Sequence, residues 1–150
     1  MAKQGFAASD RRKVENITLT GATTSIKVHD CGTVFTLNPS DGNAMTLSLP
    51  SVRSVGEGWW CRFVIQTATG ANSFIDIDAT DGVDAGLNKT WTLLAVGADG
   101  NGSATWTVDS TGGGNSNDRI KLTTAGDVVG DYVEVMVLNG AWVAHAWSAV

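Results

Sequence analysis

Residues 33–66 have the sequence TVFTLNPSDGNAMTLSLPSVRSVGEGWWCRFVIQ, and they decide the fold of this chain. They contain three short runs in which every second residue is apolar. These residues are Phe35 and Leu37 in the first run, Met45, Leu47 and Leu49 in the second, and Trp59, Cys61, Phe63 and Ile65 in the third. A period of two is what a pleated strand with one buried face requires. The pattern therefore predicts three strands that give the core its largest side chains.

The breaks between the three runs have chemical causes. A cluster of turn residues fills positions 38–43, and Pro50 ends the second run because proline has no N–H to give to a neighbouring strand. Gly56 and Gly58 supply the unrestricted dihedral angles with which the chain enters the third run. Three separate strands are therefore expected here, rather than one long one.

Similar strand patterns occur on both sides of this stretch. They cover residues 14–20, 25–29, 73–78, 90–96, 104–108, 118–123, 131–138 and 141–147. Asn139 and Gly140 separate the last two, and an Asn-Gly pair favours a type I′ turn because both central residues need positive φ. About eleven short strands with no convincing helix predict an all-β fold, namely a single antiparallel β-sandwich or jelly-roll-like domain.

Length and composition agree with one β domain. The chain has 150 residues, 18 Gly and 2 Pro, and a domain of this size buries enough surface to need no metal or disulfide. Cys31 and Cys61 are too few for a disulfide framework, and Cys61 lies on an apolar strand face. We expect Cys61 to be a small core residue and disfavour a bridge to Cys31, because disulfides are rare in a cytosol.

The charge of the chain is unevenly distributed. Residues 1–13 carry four basic residues against Asp10, a net charge of +3, whereas residues 14–150 carry six basic and fourteen acidic residues, a net charge of −8. The first segment has no apolar periodicity, so we expect a flexible basic N-terminal arm, 1–13, on a β-sandwich domain, 14–150. The acidic body disfavours a nucleic acid partner. There is no apolar run of membrane-spanning length and no apolar signal region, so we expect synthesis in a cytosol and no membrane partner.

Catalytic and metal-binding patterns are weak in this sequence. His29 and His145 each fall in a predicted strand at opposite ends of the chain, and no serine has a Gly-x-Ser-x-Gly context. The densest acidic stretch, residues 76–84, departs from the calcium loop by one residue and lacks the closing Glu. A solvent-facing strand end followed by an Asp-Gly turn explains it better. We therefore expect no enzyme, no metal and no cofactor.

Six tryptophans are many for a chain of this length. Trp59 shares its face with Phe63 and belongs to the predicted core. Trp60 falls on the opposite face of the same strand, together with Arg62. Trp142 and Trp147 are five residues apart on the last strand, so they lie on opposite faces of it. At least one of these three tryptophans is therefore expected at the surface or in a subunit contact. Aromatic residues and Arg are enriched at interface centres, which favours an interface over a sugar site.

Several strand faces, turns and one proline together resemble a known family. The motifs are Gly32-x-x-Phe35-x-Leu37, Met45-Thr46-Leu47-x-Leu49-Pro50, Gly56-x-Gly58-x-x-x-Arg62-Phe63-x-Ile65, Gly130-Asp131-Tyr132-Val133-Glu134 and Asn139-Gly140-Ala141-Trp142-Val143. This pattern, over residues 30–66 and 128–147, resembles small β-sandwich virion proteins of tailed bacteriophages. That family includes head decoration (cement) proteins and modules of tail fibres.

The resemblance implies a function without catalysis. A decoration protein would sit on the outer surface of the capsid as a homotrimer, made in the host cytoplasm, and would bridge subunits of the major capsid protein. The alternative is a tail-fibre or receptor-binding module that binds host glycans through exposed Trp; the short chain favours decoration. The expected capsid-binding residues are Lys3, Phe6, Arg11, Arg12 and Lys13. The expected subunit-interface residues are Trp60, Arg62, Trp142 and Trp147.

Overall fold

A computed structural model describes residues 12–19, 23–39, 45–67, 74–78, 92–96, 105–109, 119–123 and 129–147. Eleven strands lie within these ranges: β1 (Val14–Leu19), β2 (Thr23–Ser25), β3 (Val34–Pro39), β4 (Met45–Ser48), β5 (Trp60–Ile65), β6 (Phe74–Asp78), β7 (Thr92–Val96), β8 (Thr105–Asp109), β9 (Arg119–Thr123), β10 (Tyr132–Leu138) and β11 (Ala141–Trp147). One-turn helices occur at Val28–Asp30 (3-10) and Val52–Val55 (α1). The predicted all-β class is confirmed. In the described residues, no helix has the length and apolar character needed to cross a membrane.

The strands form two sheets between which the chain alternates. Sheet A has the order β1-β3-β5-β10-β11-β7, and sheet B has the order β2-β4-β6-β9-β8. From β1 to β8, each successive strand lies in the other sheet from the one before it. The final hairpin, β10 and β11, then inserts into sheet A between β5 and β7.

This alternation makes the sheets mixed, so the prediction of antiparallel pairing is wrong for much of the fold. Among the described strands, β1 with β3, β3 with β5, β7 with β11, β2 with β4, and β4 with β6 are parallel pairs. A chain that crosses to the second sheet and returns completes a full circuit, so the returning strand runs in the original direction. The antiparallel pairs among the described strands are β5 with β10, β10 with β11, β6 with β9, and β8 with β9.

One core receives side chains from both sheets. Sheet A contributes most of its bulk, and sheet B contributes Leu47, Ile77 and Ile120, all fully buried. The rings of Phe35 and Phe63 stack at 5.4 Å between centroids. The predicted inward set of the third run is confirmed, because Trp59, Cys61, Phe63 and Ile65 are all buried while Trp60, Arg62 and Val64 are not.

The last hairpin has the predicted turn. Asn139 and Gly140 have φ of 54° and 71°, as a type I′ turn requires. The carboxylate of Glu57 accepts hydrogen bonds from the backbone N–H groups of both residues, at 2.9 Å from Asn139 and 2.5 Å from Gly140. Glu57 directly precedes Gly58, in the turn that leads into β5, so this contact ties the tip of the hairpin to the start of its neighbouring strand.

The predicted strand at 25–29 is wrong over most of its length, because β2 (Thr23–Ser25) includes only Ser25 of it. Residues Val28–Asp30 form a 3-10 helix, and Val28 is 48% exposed whereas Ile26 is buried. The Asp30 side chain accepts a hydrogen bond from the Lys27 N–H at 2.7 Å, and the Asp30 N–H donates to the Lys27 carbonyl at 3.0 Å. These local bonds close a turn and compete with an extended strand. His29 therefore lies on a turn, not on a strand.

The two cysteines differ in exposure, and both are free. Cys61 lies in the core, and its burial raises the pKa of its thiol well above the usual value. Cys31 is exposed. We expect a thiol reagent to label Cys31 alone in the folded protein and both cysteines after denaturation, as mass spectrometry would show. The variant Cys31→Ser should then take no label while folded; fast labelling of that folded variant would contradict a buried Cys61.

Candidate functional site

The candidate site is the outer face of sheet A, on the side away from the core. It consists of alternate residues of four neighbouring strands: Val34, Thr36 and Asn38 of β3; Trp60, Arg62 and Val64 of β5; Tyr132, Glu134 and Met136 of β10; and Val143, His145 and Trp147 of β11. All are partly or largely exposed. The strand register places them in rows across the sheet, such as Val64, Tyr132 and Trp147. We call this set the outer face of sheet A.

An ion pair lies near the centre of the outer face of sheet A. Arg62 and Glu134 are directly opposite in the register of β5 and β10, and Arg62 Nη2 lies 2.6 Å from Glu134 Oε2. Arg62 Nε donates to the same oxygen at 3.0 Å. Their side chains are 29% and 20% exposed, so they are partly shielded from water. The two opposite charges compensate each other at this point of the face.

Aromatic rings continue the surface beside this pair. The Arg62 guanidinium carbon lies 4.7 Å from the centroid of the Tyr132 ring, within the range of a cation–π interaction. Trp147 stacks on the other side of Tyr132, with centroids 6.0 Å apart and ring planes 21° apart. His145 meets Tyr132 edge-on at 6.2 Å. Since Trp147 is 37% exposed, this cluster presents aromatic surface to solvent.

The end of the predicted basic arm lies against the same face. The guanidinium of Arg12 sits 5.3 Å from the centroid of the Trp60 ring. The carbonyl of Lys13 accepts a hydrogen bond from the Val34 N–H at 2.8 Å. Arg12 and Lys13, which the sequence analysis assigned to the arm, thus contact the body.

Lys13 takes part in an ion cluster with acidic groups of the body. Its ammonium pairs with Glu15 and lies 3.6 Å from an oxygen of the buried Asp30. The hydrogen bond to Glu15 and the charges of Glu15 and Asp30 raise the pKa of Lys13. His29 Nε2 lies 3.7 Å from the same Asp30 oxygen. Lys13 is thus engaged within its own chain, which lessens its availability for a partner.

The predicted interface residues separate into two groups. Trp60, Arg62 and Trp147 share the outer face of sheet A, whereas Trp142 packs in the core against Trp59, edge-on at 5.6 Å, and is 1% exposed. Trp142 offers no surface to another subunit, so its assignment to an interface is wrong. Its even number on β11 puts it on the inward side. Lys3, Phe6 and Arg11 lie outside the described residues.

Sequence reasoning missed Tyr132, Glu134 and His145 as members of this face. One signal was available, because the Asn-Gly turn fixes the hairpin register and so places Tyr132 opposite Trp147. No local signal pairs β10 with β5, and that pairing is what brings Glu134 to Arg62.

The described residues contain no group of three or more His, Cys, Asp or Glu side chains placed to hold a metal ion. The side chains of the acidic stretch 76–84, apart from Ile77, lie outside the described residues. No family model matches this sequence, and no curated protein matches it either. The outer face of sheet A offers aromatic stacking, the Arg62–Glu134 ion pair and the Arg12 guanidinium beside Trp60.

Proposed function

We propose that this protein is a non-enzymatic phage capsid decoration (cement) protein. The observation that carries this is the outer face of sheet A, where aromatic, apolar and guanidinium groups lie on a rigid sheet with the basic Arg12 stacked at one margin. Such a face combines the residue types that are enriched at the centres of protein interfaces. Within the described residues, no group of three or more His, Cys, Asp or Glu side chains is placed to hold a metal ion.

The proposed action is clamping. Two sheets with a shared core, arranged as a β-sandwich, provide a stiff body that contacts several capsid subunits and resists their separation. The body works as a homotrimer on the outer capsid surface, and its partner is the major capsid protein. Binding that occurs only on the assembled shell stabilises the shell by linkage.

The basic N-terminal segment supplies the electrostatic part of the attachment. Lys3, Phe6 and Arg11 precede Arg12, which stacks on Trp60, so the segment joins the body beside the outer face of sheet A. A capsid surface with acidic groups would pair with these cations, and Phe6 would supply an apolar contact. Lys13, engaged with Glu15 and Asp30, contributes less.

The experiment is co-sedimentation with undecorated phage heads across a salt series. Deleting residues 1–11 should weaken attachment and flatten its salt dependence, since surface charge attraction is screened by salt. The melting temperature should stay close to that of wild type, because the deletion leaves the contacts of Arg12 and Lys13 in place. The control is Lys27→Gln, which removes one exposed cation elsewhere on the body. Equal attachment of the truncated and full-length proteins would show that residues 1–11 do not contribute to binding the head.

A tail-fibre or receptor-binding module is the second candidate. It is favoured by the exposed Trp147 stacked on Tyr132, with Arg62, Glu134 and His145 beside the rings. Aromatic rings beside groups that form hydrogen bonds are suited to hold a sugar. Binding of host glycans that Trp147→Ala abolishes, together with no binding to heads, would favour this function over decoration.

A further inference from the structure

We propose that Asn139 is a site of spontaneous deamidation, through a cyclic imide formed with the backbone of Gly140, and that the Glu57 carboxylate slows this reaction in the folded protein. The only reactant besides the chain is water. The inference therefore stands apart from the attachment to heads proposed above, and its test uses the free protein.

The first observation is the residue that follows Asn139. Imide formation requires the backbone nitrogen of the next residue to reach the asparagine Cγ, and glycine hinders this approach least because it has no Cβ. Among the described residues, Asn139 is the only asparagine that precedes a glycine. Asn38 precedes Pro39, whose nitrogen has no hydrogen to lose, and Asn16 precedes a β-branched residue within β1. The hairpin turn is also exposed, so water reaches it.

The reaction balances with water as its only co-reactant. The Gly140 nitrogen gives up its proton and attacks Asn139 Cγ, so that a new N–Cγ bond closes the imide ring. The Cγ–Nδ2 bond of Asn139 breaks, and the side-chain nitrogen leaves as ammonia with the proton that Gly140 lost. Water then opens the imide at either carbonyl, which leaves aspartate or isoaspartate at position 139. No atom is oxidised or reduced.

The second observation is the pair of hydrogen bonds that Glu57 makes with this turn. Its Oε1 accepts from the Gly140 N–H at 2.5 Å, and its Oε2 accepts from the Asn139 N–H at 2.9 Å. Loss of the Gly140 proton would break a charge-assisted bond and place a new negative charge against Glu57, which like charges disfavour. A carboxylate is far too weak a base to take a proton from a backbone amide. Glu57 therefore slows the reaction and does not promote it.

The third observation is the conformation of the turn. Ring closure requires the Gly140 nitrogen to lie nearly eclipsed with Asn139 Cβ about the Cα–C bond. Asn139 has a φ of 54°, and in the left-handed conformation of a type I′ turn these two atoms lie on opposite sides of that bond. Rotation about the bond moves the Gly140 N–H away from the Glu57 carboxylate. The turn must therefore leave Glu57 before the imide can form.

The product prevents the turn from closing again in the same way. A new carboxylate at position 139 stands beside that of Glu57, and isoaspartate also adds a main-chain carbon, which disrupts a type I′ turn. The change stays at the tip of the hairpin. There, Gly58 N–H donates to the Val137 carbonyl at 3.0 Å and Val137 N–H donates to the Trp59 carbonyl at 2.9 Å. Deamidation is thus a one-way release of the hairpin tip from Glu57.

Peptide mass spectrometry of protein incubated at mildly alkaline pH measures the rate at each asparagine. In urea, Asn139 should deamidate at a rate similar to that of Asn101, the other asparagine that precedes a glycine in the sequence. In the folded wild type, the rate at Asn139 should be lower by about tenfold or more, and Glu57→Ala should raise it about tenfold, the factor that one hydrogen bond to a charged acceptor gives. Glu57→Gln, which keeps an acceptor oxygen without the charge, should give an intermediate rate.

The control is Glu134→Gln, which removes the other carboxylate contact of β10, the ion pair with Arg62, and leaves the turn untouched. Its rate at Asn139 should equal that of wild type under conditions in which circular dichroism shows each variant folded. If Glu57→Ala does not fold, Glu57→Gln decides. The proposal is overturned if Asn139 reacts as fast in the folded wild type as in urea, if the folded Glu57 variants react no faster than wild type, or if Glu134→Gln accelerates the reaction as much as they do.

Discussion

Phe63→Ala should lower the free energy of unfolding by about 3–5 kcal/mol, as expected for truncating a buried aromatic ring. Phe63 has no exposed surface, and it stacks on Phe35 from the neighbouring strand of the same sheet. Its removal leaves a cavity in the core beside Phe35, which adds to the lost transfer free energy of the ring. Urea denaturation monitored by circular dichroism would measure the loss.

The control for this prediction is Thr46→Ala, on the half-buried outward side of β4. It should change the free energy of unfolding by about 0.5 kcal/mol or less. Equal losses from the two variants would contradict the division of these strands into a core face and an outer face.

The second large effect is expected at Trp142. Trp142→Ala should cost about 3–5 kcal/mol of unfolding free energy, because the indole is buried and meets Trp59 edge-on. Trp147→Ala, five residues further along the same strand, should cost about 1 kcal/mol, the scale of one aromatic contact, since Trp147 is exposed and stacks on Tyr132.

Trp142 and Trp147 should also differ in their effect on attachment to heads. Trp147→Ala should weaken attachment to heads in the co-sedimentation experiment while the melting temperature stays near that of wild type. A stability loss at Trp147 as large as that at Trp142 would place both rings in the core. That result would contradict the opposite parity of the two residues.

Strand positions and faces were largely predictable because they depend on local chemistry. Period-two alternation is visible within a few residues, so the inward sets around Leu47 and Phe63 follow directly from the sequence. The Asn-Gly turn fixed the last hairpin for the same reason. The error at Val28 was also local in origin, because the Asp30 side chain closes a turn that apolar spacing does not reveal.

Strand pairing was less predictable because it depends on distant partners. Nothing near β3 shows that it lies between β1 and β5 with both neighbours parallel. The same limit applies to the candidate site: parity places Trp60 and Arg62 on one face, but the ion pair with Glu134 exists only because β10 pairs with β5. For the same reason, the sequence showed that Trp142 and Trp147 lie on opposite faces of β11 but not which of the two faces the core.

The central claim, attachment to the outer surface of the head, is tested most directly by locating the protein on purified virions. Antibody-labelled electron microscopy distinguishes the two proposed functions in one image. A capsid decoration protein predicts uniform labelling over the head, with the label lost from heads assembled without this protein. Labelling confined to the tail tip would contradict the account and assign the outer face of sheet A to receptor binding.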